Sequence, residues 1–141
     1  MEFRFKVEGG DFTNAGSASS QVKKILKQIN THPKDIKRLV VALYEAEVNI
    51  VAHAYRGEIV ANIDQDKVSV VLTDEGPGIP DIPKAMLQGF STASSKVREM
   101  GFGAGMGLPN IKKNTDSLDI ESIVGKGTCV KITVFFNKEN D

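Results

Sequence analysis

The chain has 141 residues, with eighteen basic and eighteen acidic side chains and no formal net charge. That length fits a single domain, 1–141, with room for a real core, and the charge balance gives no reason to expect nucleic acid or an anionic membrane as a partner. One cysteine excludes an internal disulfide and a cysteine metal cluster, and no run approaches 18 apolar residues, so the expectation is a cytoplasmic protein with neither signal peptide nor membrane span.

Phe3, Phe5 and Val7 alternate with Arg4, Lys6 and Glu8, as a strand with one wet face would. The Ser- and Asn-rich stretch 14–20 offers several helix caps, and Val22, Ile25, Leu26 and Ile29 follow with the spacing of an amphipathic helix. Pro33 suits the first turn of a second helix, and 39–55 continue it free of Pro and Gly. At about 100° per residue, Leu39, Leu43, Ala46 and Ile50 share one side, and Val40, Tyr44, Val48 and Val51 cover most of another. Glu45, Asn49 and His53, each four apart, form one narrow polar stripe. A helix apolar on most of its circumference is buried, so the stripe is expected to line a cavity. There Asn49 would offer an oxygen to Mg²⁺, with Glu45 one water away as a base. A solvated edge is the ordinary alternative for such a pair. His53 suits a hydrogen-bonded structural histidine better than a ligand or acid. Glu47 falls in the apolar sector, and no function follows from that position.

Ile59, Ala61 and Ile63, then Gln65-Asp66, then the apolar run 68–72 predict a hairpin whose second strand ends at Asp74. Asp74 opens the turn Asp74-Glu75-Gly76-Pro77-Gly78-Ile79-Pro80. A carboxylate there can accept a hydrogen bond from an amine in a cleft, while Gly78, lacking a Cβ, would let a flat ring approach the backbone. An ordinary Pro-Gly turn with a solvated Asp accounts for this segment alone equally well. Residues 81–100, with Ser91, Thr92, Ser94, Ser95, Lys96, Arg98 and Glu99, have the polarity of a lid. Glycines at 101, 103, 105 and 107 then lead to Leu108, Ile111 and a basic turn, the pattern of a short helix whose free backbone N–H groups suit a phosphate chain. The dinucleotide fingerprint fails here, since Met106 or Leu108 stands where its third glycine belongs, and Gly125-Lys126-Gly127-Thr128 lacks the pattern of a P-loop. Strands are expected at 118–123 and 129–136, with Val130, Ile132, Val134 and Phe136 on one face. The order strand–helix–helix–strand–strand–lid–helix–strand–strand predicts an α+β two-layer sandwich, a mixed, mostly antiparallel sheet with helices on one side.

Four segments in this order, Glu45-x-x-x-Asn49, Asp74-x-Gly76-x-Gly78, Gly103-x-Gly105-x-Gly107 and Gly125-x-Gly127-Thr128, resemble the boxes of the GHKL ATPase superfamily. They span most of the chain. Within that superfamily, Glu45-Ala-x-x-Asn49-x-x-x-His53, Asp74-Glu-Gly-Pro-Gly-Ile79 and Gly89-Phe-Ser-Thr92 are most similar to bacterial anti-sigma factor and switch kinases. The resemblance implies a Bergerat-type ATP-binding fold and an ATP- and Mg²⁺-dependent protein serine/threonine kinase. It assigns Asp74 to the adenine amine and Thr128 to the adenine edge through water, with Gly76, Gly78 and Ile79 around the base. Asn49 becomes the Mg²⁺ ligand and Glu45 the general base. Gly103, Gly105, Met106, Gly107 and Leu108 approach the phosphates, and Arg98 is the candidate γ-phosphate contact. The implied partner is a regulatory protein of the anti-anti-sigma kind, with a sigma factor as a further candidate; a homodimer is compatible with the subgroup. Two other readings stay open: a nucleotide-gated binding module with little transfer activity, and a histidine-kinase-like ATPase domain. Glu45 weighs against the first, because a pure binder needs no base. His32, followed by Pro33 in a loop, is a poor phospho-acceptor for the second.

Overall fold

The computed structural model describes residues 1–87 and 107–137. Five strands form one sheet: β1 (Glu2–Glu8), β2 (Arg56–Ile63), β3 (Lys67–Glu75), β4 (Ser117–Ile123) and β5 (Gly127–Phe135), in spatial order β1-β2-β3-β5-β4. Every pairing is antiparallel, so the expected mixture of directions resolves to one. The helices are α1 (Ser17–Gln28), α2 (Pro33–His53), α3 (Ile82–Ala85) and α4 (Gly107–Lys113).

The strand register turns sequence alternation into layers. Phe5, Ile59, Leu72, Val130 and Ile120 lie opposite one another across all five strands. Phe3, Ala61, Val70, Ile132 and Leu118 form the next such row. These rows face the helices and join Val22, Leu26, Leu39, Leu43, Ile50, Leu108 and Ile111 in one core. Burying a side chain of this size stabilises the fold by about 1.5–3 kcal/mol, which is what holds helices of weak individual stability on the sheet. The opposite face alternates to Arg4, Val60, Val71, Lys131 and Asp119. One row nearer the other end of the strands, the helix-facing positions change character: Val7 and Gly57 are paired, Gly57 faces Asp74, and Thr128 faces Ser122. Beyond Val7, which still belongs to the core, small and polar side chains have replaced the apolar ones.

α1 stops one residue before its apolar pattern does. Asn30 adopts φ 59°, and the N–H of Thr31 reaches back to the Leu26 carbonyl at 3.0 Å, so Ile29 leaves the helix and is 42% exposed. α2 starts at Pro33, with His32 as its N-cap: His32 Nδ1 accepts from the Lys34 N–H at 3.1 Å. That ring nitrogen therefore closes a helix end, and the structure gives His32 a capping job. Asp35, buried in the first turn of α2, accepts from the Asn137 N–H at 2.7 Å, and Arg38 bridges Asp35 to Asp116. Tyr44, expected on an apolar side, is 38% exposed and lies over Gly16.

Glu47 is the largest departure from the periodic reading. It is 2% exposed and faces the start of α1. Its Oε2 accepts from the N–H groups of Gly16 and Ala18, both at 3.1 Å, and its Oε1 from the N–H of Ser19 at 3.0 Å and the Ser19 hydroxyl at 2.7 Å. A side chain from α2 thus caps α1, whose own N-cap, Gly16, has no side chain to do so.

Candidate functional site

The far end of α2 is tied to the polar end of the sheet by backbone hydrogen bonds. The Tyr55 N–H donates to Glu75 at 2.8 Å, the Gly9 N–H to Tyr55 at 2.8 Å, and the Gly10 N–H to Val51 at 2.8 Å. Gly76 closes the joint, since a Cβ there would stand 3.0 Å from the Ala54 Cα. This anchoring brings Asn49 on the last turns of α2 and Asp74 on the last residues of β3 to the same end of the molecule.

Asp74 does two things. Its Oδ1 accepts from the Thr128 N–H at 3.1 Å, holding β5 against β3 beyond their last ladder pair. The carboxylate is half-buried, and burial pushes its pKa above the usual carboxylate value, with the Thr128 N–H pulling it back. A carboxylate so placed has a second oxygen to offer, and a neutral donor such as an exocyclic amine would offset part of its desolvation. The residues present therefore fit an adenine.

Thr128 is 9% exposed, and its hydroxyl pairs with that of Ser122 at 2.9 Å. Ser122 also accepts from the Ile79 N–H at 2.7 Å, so one hydroxyl links the Gly78 turn, β4 and β5. Sequence reasoning missed Ser122, although its place is a signal: it continues the helix-facing series Leu118, Ile120 with a polar side chain. The reason for glycine at 78 also differs from the one expected. Gly78 has φ 77°, and a Cβ would stand 2.6 Å from the Ile123 carbonyl oxygen. The β4–β5 turn, through the backbone of Ile123 and Val124, already fills that space, so the turn's own packing requires glycine here. A Cβ at Gly127 would likewise run into the Asp74 carbonyl oxygen.

On α2, Glu45 and Asn49 are both partly buried and stand one turn apart. Burial pushes the Glu45 carboxyl above its ordinary value, and a side-chain hydrogen bond with Asn110 on α4 opposes the shift. Burial also lowers the pKa of His53, which favours a neutral ring. Gly107 opens α4 beside Asn49, where a Cβ would stand 3.1 Å from Asn49 Oδ1. Leu108 is 7% exposed and belongs to the core, so its side chain anchors α4 while its backbone lies at the helix entry. A hard cation that keeps several waters and takes phosphate oxygens needs only one or two protein oxygens, and Asn49 can supply one. Among the described residues no group of three or more His, Cys, Asp or Glu side chains gathers into a metal cage. Of the predicted site residues, Gly107 adjoins Asn49, which stands one turn from Glu45 on α2, and Asp74, Gly76, Gly78, Ile79 and Thr128 form the second group. Arg98, Gly103, Gly105 and Met106, with most of the expected lid, lie outside the described residues. Within that lid, α3 is capped by Asp81, whose Oδ1 accepts from the Lys84 N–H at 3.1 Å.

Comparison with known proteins agrees with this layout. The family model described as the histidine kinase-like ATPase domain matches residues 11–134. The serine/threonine-protein kinase RsbT of Bacillus subtilis (strain 168) is 34% identical over 110 residues, covering 75% of this chain and 77% of the relative. An anti-sigma F factor of Caldanaerobacter subterraneus subsp. tengcongensis is 32% identical over 143 residues, covering 98% and 94%. Among solved structures, the RsbU and RsbW domains of Rv1364c from Mycobacterium tuberculosis superpose with a TM-score of 0.67 at 16% identity, over 99% of this chain and 33% of that one. The mycobacterial sensor histidine kinase MprB gives a TM-score of 0.53 at 17% identity, over 97% and 99%. Likeness at such identities shows the fold. No helix of the described residues is long and apolar enough to cross a membrane. The family match covers both groups of site residues, and by it the chain belongs to the histidine kinase-like ATPase domains, as an ATPase of the anti-sigma kinase type.

Proposed function

We propose that this chain is an ATP- and Mg²⁺-dependent protein serine/threonine kinase, a single domain over 1–141, that phosphorylates a regulatory partner and also binds a partner stably. The observation that carries the reading is Glu45, a half-buried carboxyl one turn from Asn49 with its pKa pushed up by burial. A carboxylate with a raised pKa is a stronger base, which suits removal of a proton from a Ser or Thr hydroxyl. Bound Mg²⁺–ATP would supply the transferable phosphoryl group and neutralise its charge. Asp74 accepts the adenine amine, Thr128 meets the adenine edge through water, and Gly76, Gly78 and Ile79 shape that wall. Asn49 gives an oxygen to the metal, and Glu45 takes the hydroxyl proton. In the same reading Gly103, Gly105, Met106, Gly107 and Leu108 present backbone to the phosphates, and Arg98 contacts the γ-phosphate.

The relative named as a serine/threonine-protein kinase supports transfer activity, and the anti-sigma F factors support a sigma factor or its regulator as the partner. Glu45→Gln tests the assignment, because it keeps shape and loses basicity. ATP should still bind while phosphoryl transfer to a co-purifying partner falls roughly 10²–10⁴-fold. Transfer at the wild-type rate would make Glu45 structural and favour nucleotide-gated partner binding without chemistry.

A further inference from the structure

Two turns close the sheet at the end where Asp74 lies, and they are laced together. The Gly76 N–H donates to the Lys126 carbonyl at 3.0 Å, and the Gly125 N–H to the Pro77 carbonyl at 2.8 Å. A side chain makes the third tie: the Ile79 N–H donates to Ser122 Oγ at 2.7 Å. The same oxygen stands 3.2 Å from the Gly127 carbonyl oxygen and 2.9 Å from Thr128 Oγ1. A hydroxyl has one proton and two lone pairs, so three such neighbours dictate where each proton goes. The Ile79 N–H can only donate, and it takes one lone pair. The Gly127 carbonyl can only accept, and it takes the Ser122 proton. Thr128 must then donate its own proton to the lone pair that remains. Only this arrangement makes all three bonds. If Ser122 donated to Thr128 instead, its bond to the Gly127 carbonyl would be lost.

We propose that Ser122 is a positioning residue for base selection: by drawing the Thr128 proton to itself, it leaves Thr128 Oγ1 an acceptor only towards the nucleotide. The inference rests on the reading of Asp74 and Thr128 as the wall that meets adenine. The Thr128 N–H donates to Asp74 Oδ1 at 3.1 Å, so Thr128 stands beside the carboxylate assigned to the exocyclic amine. A water held by an acceptor points one proton at it, and its second proton is left for the base. The adenine nitrogens N1 and N7, on either side of the amine, both accept such a proton. In guanine N1 carries a hydrogen, which would meet that water donor to donor. Asp74 thus selects the amine, and Thr128, with its polarity set by Ser122, selects an unprotonated ring nitrogen next to it. Without Ser122 the Thr128 hydroxyl would be free to donate or accept, and the water would turn with it.

The test is calorimetric titration of the whole chain with the Mg²⁺ complexes of ATP, GTP and the triphosphates of 1-deazaadenosine and 7-deazaadenosine. Each deaza analogue keeps the amine and lacks one ring nitrogen. The wild type should bind one of the two about five- to tenfold more weakly than ATP, for the loss of one water-mediated hydrogen bond. In Ser122→Ala that ratio should fall below about twofold, while Ser122→Thr, which keeps the hydroxyl, should hold it within about twofold of the wild type. Ser122→Cys fills nearly the same space with a poor hydrogen-bonding group, so it should match Ser122→Ala and decides the case if the alanine variant does not fold. A Ser122 that served only the fold would weaken ATP and analogue alike, so an unchanged ratio in these two variants would overturn the proposal. Equal wild-type affinity for ATP and both analogues would do the same; if ATP were still preferred to GTP, the Asp74 assignment would stand and only the role of Ser122 would fall. Equal wild-type affinity for ATP and GTP would remove the adenine reading itself, and this proposal with it.

Discussion

Asp74→Asn separates the two tasks of one carboxylate. The substituted side chain keeps a carbonyl oxygen for the Thr128 N–H, which Asp74 Oδ1 now accepts at 3.1 Å, so the β3–β5 junction should survive. The remaining amide group is a donor, and it would face the adenine amine donor to donor. Losing a hydrogen bond to a partly desolvated carboxylate and leaving its partner unpaired costs about 1–3 kcal/mol, or about five- to 150-fold in ATP affinity. Guanine carries a carbonyl where adenine carries the amine. The wild type should therefore prefer ATP to GTP, and the variant should narrow or invert that preference. Calorimetric titration of both proteins with both nucleotides measures it; equal affinities in the wild type, or undiminished ATP affinity in the variant, would refute the adenine assignment. Stability should move the other way. Burial raises the Asp74 pKa above its ordinary value, so the folded protein holds that proton more tightly than the unfolded chain. The resulting stabilisation is present at low pH and is lost as pH rises through the raised pKa. At neutral pH the ionised carboxylate thus opposes folding, and Asp74→Asn without nucleotide should melt at or above the wild-type temperature, with the advantage fading on acidification.

Three further expectations follow from the helices. Asn49→Ala should remove the Mg²⁺-dependent part of ATP binding, read as the difference between titrations with Mg²⁺ and with a chelator, because no other assigned side chain supplies that oxygen. The acid limb of the transfer rate should have its midpoint above the usual glutamate range, because Glu45 must be ionised to act and burial raises its pKa; a limb at the ordinary value would place the base elsewhere. Glu47→Ala should destabilise the fold by about 3–5 kcal/mol in urea unfolding, since it strands three N–H groups and the Ser19 hydroxyl in the interior, while Glu47→Gln should cost less because one acceptor oxygen remains.

Much of the fold was legible because its causes are local. The apolar run 68–72 and the alternation in 129–136 mark strands, and the register lays those residues in rows across the sheet. The long helix followed from an unbroken apolar period and a well-placed proline; it runs Pro33–His53, two residues short of the expected end, because Ala54 turns extended and Tyr55 bonds to β3. The site motifs were legible for a similar reason, since a glycine beside a carboxylate records a local backbone need. At Gly78 the need was read correctly and its cause was not: the crowding atom belongs to Ile123, 45 residues away, and no pattern near Gly78 reports it.

What escaped the periodic reading are side chains bonded to backbone far along the chain. Glu47 serves N–H groups some 30 residues earlier, and Ser122 accepts from Ile79, 43 residues earlier. Each nevertheless leaves one local trace, a polar residue where the period demands an apolar one. On an isolated helix or strand that is an error of phase, destabilising unless something pairs with it, because an unpaired buried polar group costs about as much as a buried leucine contributes. A folded chain that tolerates such a residue must hold a donor or acceptor for it. Glu47 meets the bare start of α1, whose N-cap is glycine, and Ser122 meets the Gly78 turn. An out-of-phase polar side chain therefore points to a junction between elements before either element's partner is known. In this chain one such junction sits beside the site, and the other secures the helix that carries Glu45 and Asn49.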